Sequence, residues 1–348
     1  MRFRRPLTAT AALLAAASLA LAGCSSTGGD DAAATPSGPA TSGATDEFPI
    51  TIESALGTAT IKSAPERVVT WGWGSTEAAI AVGVYPVAVA EQRWTAGEGN
   101  LVPWVEEAYD KAGVEHPAVL TDEAGGATVP YEEIIAAAPD LILAPYSGLT
   151  QEQFDLLSDI APVVAFQDGP WTTTWDDVIR TSAKALGRSA AGDAVLDDIS
   201  AFLADQKAAH PEFDGVTFAG IWDGDGSVSV YTPADPRVAI LTELGLQIAP
   251  SVSDLDTSNG GFYYDLSYEK LDQLTADFVI VYGNTDAEVE ASLAKPALQA
   301  IPAVAAGRVV KVVGPVTVSS VSPPTALTFQ WEGGLPTLIA GIATTLAG

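Results

Sequence analysis

The chain of 348 residues is poor in the side chains that most protein chemistry draws on, with one Cys, one Met and two His. A single Cys permits no intramolecular disulfide and no CxxC metal or redox site. The two His, each followed by proline in His116-Pro117 and His210-Pro211, supply no ligand set for bare zinc or manganese and no evident general base. Basic residues are equally scarce. The 16 Lys plus Arg face 44 Asp plus Glu, and a formal charge of -28 repels phosphate backbones, which excludes nucleic acid as a partner. No GxSxG elbow or HExxH helix occurs and no acidic pair stands in a motif, so a secreted hydrolase has only the abundance of carboxylates in its favour. Apolar residues, by contrast, make up 47% of the chain, enough over this length for one large core or two ordinary ones.

The first residues read as an export signal spanning 1–23. Arg2, Arg4 and Arg5 precede an apolar run from Leu7 to Ala22, about 16 residues, too short to span a bilayer. Leu21-Ala22-Gly23-Cys24 closes it and resembles a bacterial lipobox, in which the Cys is lipidated; the only Cys of the chain is this Cys24. Two or more acyl chains on it would anchor the protein stably. Residues 24–47 form a Ser/Thr/Gly/Ala/Pro tract without hydrophobic periodicity, read as a flexible tether with a typical reach of about 25–30 Å. Residues 48–348 carry 40 acidic and 13 basic side chains, so the negative charge belongs to the body.

Within that body, apolar runs of strand length alternate with amphipathic runs of helix length. Arg67–Trp71, Pro86–Ala90, Asp140–Ala144 and Pro162–Phe166 read as strands, with helices at Ser75–Val82, Tyr131–Ala138 and Thr150–Asp159 between them. That order predicts parallel α/β units. An ungapped internal match then sets YEEIIAAAPDLILA from Tyr131 against YEKLDQLTADFVIV from Tyr268, keeping Tyr, Glu and the Asp before the strand. Two similar α/β lobes are expected, 48–170 and 211–348. Residues 171–210 between them carry helical apolar spacing at Val178, Ala185, Val195, Ile199 and Phe202, interrupted by Gly187 and Gly192, and predict a long broken connecting helix ending at His210-Pro211. A ligand cleft between the lobes, with limited hinge freedom, follows.

The lipobox, SAPERVVTWGWGSTEAAIAVGVYPVAVAE, YEEIIAAAPDLILAPYSG, YEKLDQLTADFVIVYG and IPAVAAGRVVKV together resemble the substrate-binding lipoproteins of ABC importers for iron–siderophore complexes. This is the helix-linked branch that also serves cobalamin and haem. The resemblance implies a monomeric, extracytoplasmic, lipid-anchored protein that performs no chemistry, holds no cofactor or directly bound metal of its own, and hands a ferric siderophore to a permease dimer driven by an ATPase. It also implies that one Glu on each lobe docks onto arginines of the permease; motif matching places these at Glu132 and Glu269, which the internal repeat makes equivalent.

A ferric siderophore is a large, partly apolar chelate, so its pocket calls for aromatic walls and a few Arg or Tyr donors on loops beyond strand ends. Trp73, Arg93, Trp94, Tyr146 and Trp171 are the candidates in the first lobe; Trp222, Tyr231, Arg237, Phe262 and Tyr263 are those in the second. Trp71, Trp104 and Trp175 are read as core. The body holds six Arg, at 67, 93, 180, 188, 237 and 308, and either Arg93 or Arg237 has an acidic neighbour in Glu91 or Asp235. So few basic residues favour a neutral or cationic ferric hydroxamate over a triply anionic catecholate or citrate complex. Haem ligation by Tyr146, Tyr231 or Tyr263, and cobalamin as the ligand, stay open at this point.

Overall fold

The computed structural model describes residues 43–96, 100–122, 125–224 and 226–348. The export signal, Cys24 and the tether as far as residue 42 lie outside the described residues. The body opens with an antiparallel hairpin, β1 (Ile50–Glu53) and β2 (Thr58–Ile61), whose alternating burial turns Ile50, Ile52, Ala59 and Ile61 onto the first lobe. There, β3 (Val68–Thr70), β4 (Ala88–Ala90), β5 (Ala118–Leu120), β6 (Leu141–Leu143) and β7 (Val163–Val164) form a wholly parallel sheet in the order β5-β4-β3-β6-β7. Parallel strands joined by helical crossovers are covered on both faces, which is why these runs are apolar throughout instead of alternating. Val69, Ala88 and Ile142 pack with Ile134, Phe154 and Leu157 on one side. Val68, Leu141 and Leu143 pack with the hairpin and Ala79 on the other.

The second lobe contains β8 (Thr217–Asp223), β9 (Ser227–Tyr231), β10 (Gln247–Ile248), β11 (Tyr263–Ser267), β12 (Phe278–Gly283) and β13 (Val309–Val313). Its order is β11-β9-β8-β12-β13, with β10 paired to the start of β8. The two-lobed α/β fold expected from the sequence is thus present. The second sheet is not a copy of the first, however, because β9 and β11 run antiparallel. β8 continues to Asp223, two residues past Ile221, so Trp222 lies in the strand and not on a loop beyond its end.

Residues 171–210 form two helices, Trp175–Ala185 and Ser189–Ala209. The break is at Gly187, which has φ 68°, a left-handed conformation that glycine adopts without strain. Gly192 interrupts nothing: it sits in the second helix where a Cβ would come within 2.4 Å of the Ala183 side chain, so its lack of one lets the two helices touch.

The internal repeat has a physical basis. Asp140 accepts hydrogen bonds from the backbone N–H groups of Glu66 (2.7 Å) and Arg67 (2.9 Å), at the entry to β3. Asp277, its equivalent, accepts from the Thr217 N–H (2.8 Å) and hydroxyl (2.7 Å), at the entry to β8. In each lobe the Asp before one central strand ties down the start of its neighbour. The Thr217 N–H and hydroxyl hold the Asp277 carboxyl below the usual carboxylate range. A lowered acid contributes stability above its unfolded value and loses it on acidification. Asp277→Ala is therefore expected to lower the unfolding free energy by about 1 kcal/mol at pH 7, allowing for solvent exposure. In urea denaturation the difference from wild type should shrink as the pH falls below about 4.

Candidate functional site

Loops at the carboxyl ends of the first lobe's strands meet the second lobe. Gly72 and Gly74 have φ of 86° and 75°, and a Cβ at Gly72 would lie 2.3 Å from the Tyr146 carbonyl oxygen. Those two glycines let the loop after β3 pass close under Tyr146, whose carbonyl accepts from the Trp73 N–H at 3.0 Å. The Trp73 indole then crosses to the other lobe, Nε1 donating to the Pro323 carbonyl at 3.2 Å. Its ring meets Trp104 edge-on at 6.3 Å, and Trp104 meets Trp331 at 5.3 Å.

Under these rings lies Glu77, 3% exposed, which accepts from Trp104 Nε1 at 2.8 Å. Burial pushes its carboxyl up, against the lowering effect of hydrogen bonds from Trp104 and from Thr325 of the other lobe.

A second cluster centres on Arg237, in the first turn of the helix Pro236–Glu243. Asp235 caps that helix, its Oδ1 accepting from the Arg237 N–H at 2.8 Å and from Nε at 2.9 Å. The guanidinium stacks 4.0 Å from the centroid of the Tyr231 ring and 5.7 Å from that of Tyr282. Burial pushes the Asp235 carboxyl up, and the Arg237 charge and its hydrogen bonds oppose this. Tyr146 approaches from the first lobe. Its phenol is pushed up to about 12 by burial and by Asp235, so it stays a proton donor. Trp171 packs edge-on against Tyr146 at 5.5 Å. Its backbone is left-handed at φ 59°, unusual for a bulky residue, and its N–H donates to the Ser147 carbonyl at 3.1 Å. A Cβ on Gly148 would lie 2.5 Å from Trp171 Nε1, so that glycine is the seat of the indole.

The other candidates border these two clusters. Trp94, 51% exposed on the short helix Arg93–Ala96, lies 6.2 Å from Trp222 of the second lobe. Thr95 and Ser319 share a buried hydrogen bond of 2.5 Å between lobes. Arg93 donates to Glu91 through Nε (3.1 Å) and Nη2 (3.2 Å). Tyr231 is not on a loop: it ends β9, is buried, and faces Tyr263 across the β9–β11 pairing. Phe262 and Tyr263 are exposed and stack 4.9 Å apart. A small cavity of about 10 Å³ remains at the junction, lined by Trp73, Tyr146, Trp175, Val178, Pro323 and Ala326. Trp71 and Trp104 are buried core residues as expected, Trp104 also meeting the junction through Trp73 and Trp331; Trp175, expected in the core, is partly buried and lines the junction, and Glu77, Tyr282 and Trp331 join it without having been singled out from the sequence.

Glu132 and Glu269 are exposed, each in the first turn of its repeat's helix, an α-helix at Tyr131–Ala137 and a 3-10 helix at Tyr268–Gln273. The second is braced from behind. The Tyr268 hydroxyl donates to Asp223 at 2.7 Å, and Lys295 Nζ donates to Asp223 (2.7 Å) and to the Tyr268 oxygen (3.0 Å).

The family model described as periplasmic binding protein matches residues 68–313. The chain is similar to Streptococcus pneumoniae TIGR4 PiaA, solved in complex with ferrichrome, at 30% identity over 86% of this chain and 99% of that one, with a TM-score of 0.77. It is also 30% identical over 135 residues to the achromobactin-binding periplasmic protein of Dickeya dadantii, covering 38% of this chain and 39% of the relative. The probable siderophore-binding lipoprotein YfiY of Bacillus subtilis is 29% identical over 202 residues, 57% of each chain. The chain spans less than two thirds of the length of these two curated relatives.

Glu77 provides a test of the junction. Because burial raises its carboxyl, the ionised form costs stability at neutral pH, and the cost falls as the pH drops through the raised value. Glu77→Gln keeps an acceptor for Trp104 Nε1 and is expected to melt about 2–4 °C higher at pH 7.5. The gain should fade toward pH 5; a variant that melts lower at pH 7.5 would contradict this account.

Proposed function

The chain belongs to the periplasmic binding protein family, and from that premise we propose that it is the extracytoplasmic binding lipoprotein of an ABC importer, capturing a ferric siderophore of the hydroxamate type. The observation that carries the reading is the Tyr146–Arg237–Tyr231 cluster at the lobe junction, flanked by Trp73, Trp171 and the Trp94–Trp222 pair. Protonated phenol and guanidinium groups donate to the oxygens that hold ferric iron, and indole faces cover the organic shell. The similarity to PiaA, whose structure holds ferrichrome, supports a hydroxamate, as does the shortage of basic residues. The protein binds and delivers without transforming its ligand.

The cavity left at the junction, about 10 Å³, has room for about one water molecule, so a chelate enters only when the lobes part. The two-helix connector supports a modest parting, since helices resist the φ/ψ changes that loop hinges absorb. Cys24 provides the membrane anchor in this reading, and Glu132 and Glu269 dock the loaded protein on the permease. The chain acts as a monomer.

Two measurements test the proposal. Ferrichrome should quench the intrinsic Trp fluorescence with a Kd of about 1 μM or tighter, since several Trp line the site; haem or cobalamin binding in its place would overturn the ligand assignment. A Glu132→Ala/Glu269→Ala double variant should bind ferrichrome within about twofold of wild type yet lose at least tenfold in uptake. Undiminished uptake would remove the docking role.

A further inference from the structure

The lobe junction carries Arg93 and Arg237, each hydrogen-bonded to a carboxylate two residues before it. Arg93 adjoins Trp94, which reaches Trp222 of the other lobe, and both Nε and Nη2 of Arg93 donate to Glu91. Arg237 lies over Tyr231 and beside Tyr146, and its Nε donates to Asp235. The two arginines differ in exposure, their side chains being 56% and 16% exposed. Their carboxylate partners do not: the Glu91 and Asp235 side chains are 5% and 3% exposed.

A carboxylate is buried at a cost, which a chain rich in exposed acids has no need to incur for solubility. Each is also only two residues from its arginine and fixed by the backbone. Glu91 accepts from the Asp122 N–H at 3.1 Å, and Asp235 accepts from the Arg237 N–H at 2.8 Å. The carboxylates are therefore held in place independently of any ligand, and the arginines serve as directional hydrogen-bond donors with their charge cancelled on the spot.

We infer that Glu91 and Asp235 are the charge-selecting residues of the cleft, cancelling Arg93 and Arg237 so that a polyanionic ferric chelate is rejected while a neutral one keeps its hydrogen-bond donors. This rests on the reading that the cleft takes a ferric siderophore, and it assigns the discrimination to two residues that need not touch the ligand. Specificity of this kind comes from a repulsive element placed against the wrong ligand as much as from contacts to the right one. A neutral trihydroxamate loses nothing from the cancelled charge. A triply anionic tricatecholate meets a carboxylate of its own sign wherever it meets one of these arginines.

The test is to titrate the wild-type protein, Glu91→Gln and Asp235→Asn with ferrichrome and with ferric enterobactin, a triply anionic tricatecholate, by Trp fluorescence. Either amide keeps an acceptor for its arginine, and Asn remains a good helix cap at position 235. Each substitution is expected to tighten ferric enterobactin by about tenfold and to leave ferrichrome within about threefold, with the tricatecholate gain shrinking at 0.5 M salt. Unchanged enterobactin affinity in both variants, with ferrichrome still bound, would overturn the inference and leave the proposed function intact. A wild-type protein that binds no ferric hydroxamate would instead overturn the proposed function, and this inference with it. Should circular dichroism show that Asp235→Asn is unfolded, Glu91→Gln decides the matter alone, because its partner arginine is more than half exposed.

Discussion

A parallel sheet covered on both faces leaves only its strand ends for chemistry, and this constraint organises the whole body. In the first lobe, Val68, Val69, Leu141, Ile142, Leu143, Val163 and Val164 are all essentially buried, so no strand interior can offer a side chain to a ligand. The polar and aromatic groups gather on the loops after β3, β4 and β6, carrying Trp73, Arg93 with Trp94, and Tyr146. The second lobe adapts the same plan. Its antiparallel β9 and β11 bring Tyr231 and Tyr263 side by side, and Arg237 follows on the next helix. The seam is thus where the sheets leave room for such side chains to gather.

Charge is then distributed by scale. Over residues 48–348 acidic side chains outnumber basic ones by 40 to 13, which sets the long-range field; at the seam, Arg93 pairs with Glu91 and Arg237 with Asp235. The two levels agree in direction. A negative body slows the approach of a polyanion, and locally cancelled arginines give it no compensating attraction on arrival. Glu77 adds a carboxyl beneath the Trp73–Trp104–Trp331 rings, where burial disfavours its charged form and the hydrogen bond from Trp104 opposes that.

What could be read from the sequence was what local chemistry encodes. The match of Tyr131 to Tyr268 holds in space because Asp140 and Asp277 each bind the backbone at the entry to the adjacent central strand, a contact that needs a particular residue at a particular step before β6 and β12. Aromatics on loops after strands could likewise be placed near a cleft. Trp222 was displaced by only the two extra residues of β8, a boundary that periodicity does not fix. The role of Trp104 could not be read. Its helix has an apolar face that looks like core, and its partners Glu77 and Trp331 lie 27 residues before it and 227 after it. The pairing of Arg237 with Asp235 was visible as a possibility, but its burial against Tyr231 and Tyr282 depends on β9 and β12 meeting the helix, which is tertiary information.

The repeat also diverges where its two halves would face a partner. Glu132 stands on an α-helix whose neighbouring Glu133 binds the Thr121 N–H and hydroxyl at 2.7 and 2.8 Å, a tie to the end of β5. Glu269 stands on a 3-10 turn held by the buried Asp223, with Tyr268 and Lys295 completing the cluster. Asp223 ends β8, the strand that also carries Trp222 to the lobe junction, so one short strand end holds both a wall of the cleft and the support of a surface carboxylate. In the first lobe the corresponding duties fall on separate strands, β5 for the surface and β3, β4 and β6 for the cleft. Asp223 thus joins the strand end that carries Trp222 to the turn that carries Glu269, through Tyr268 and a part-buried ion pair with Lys295.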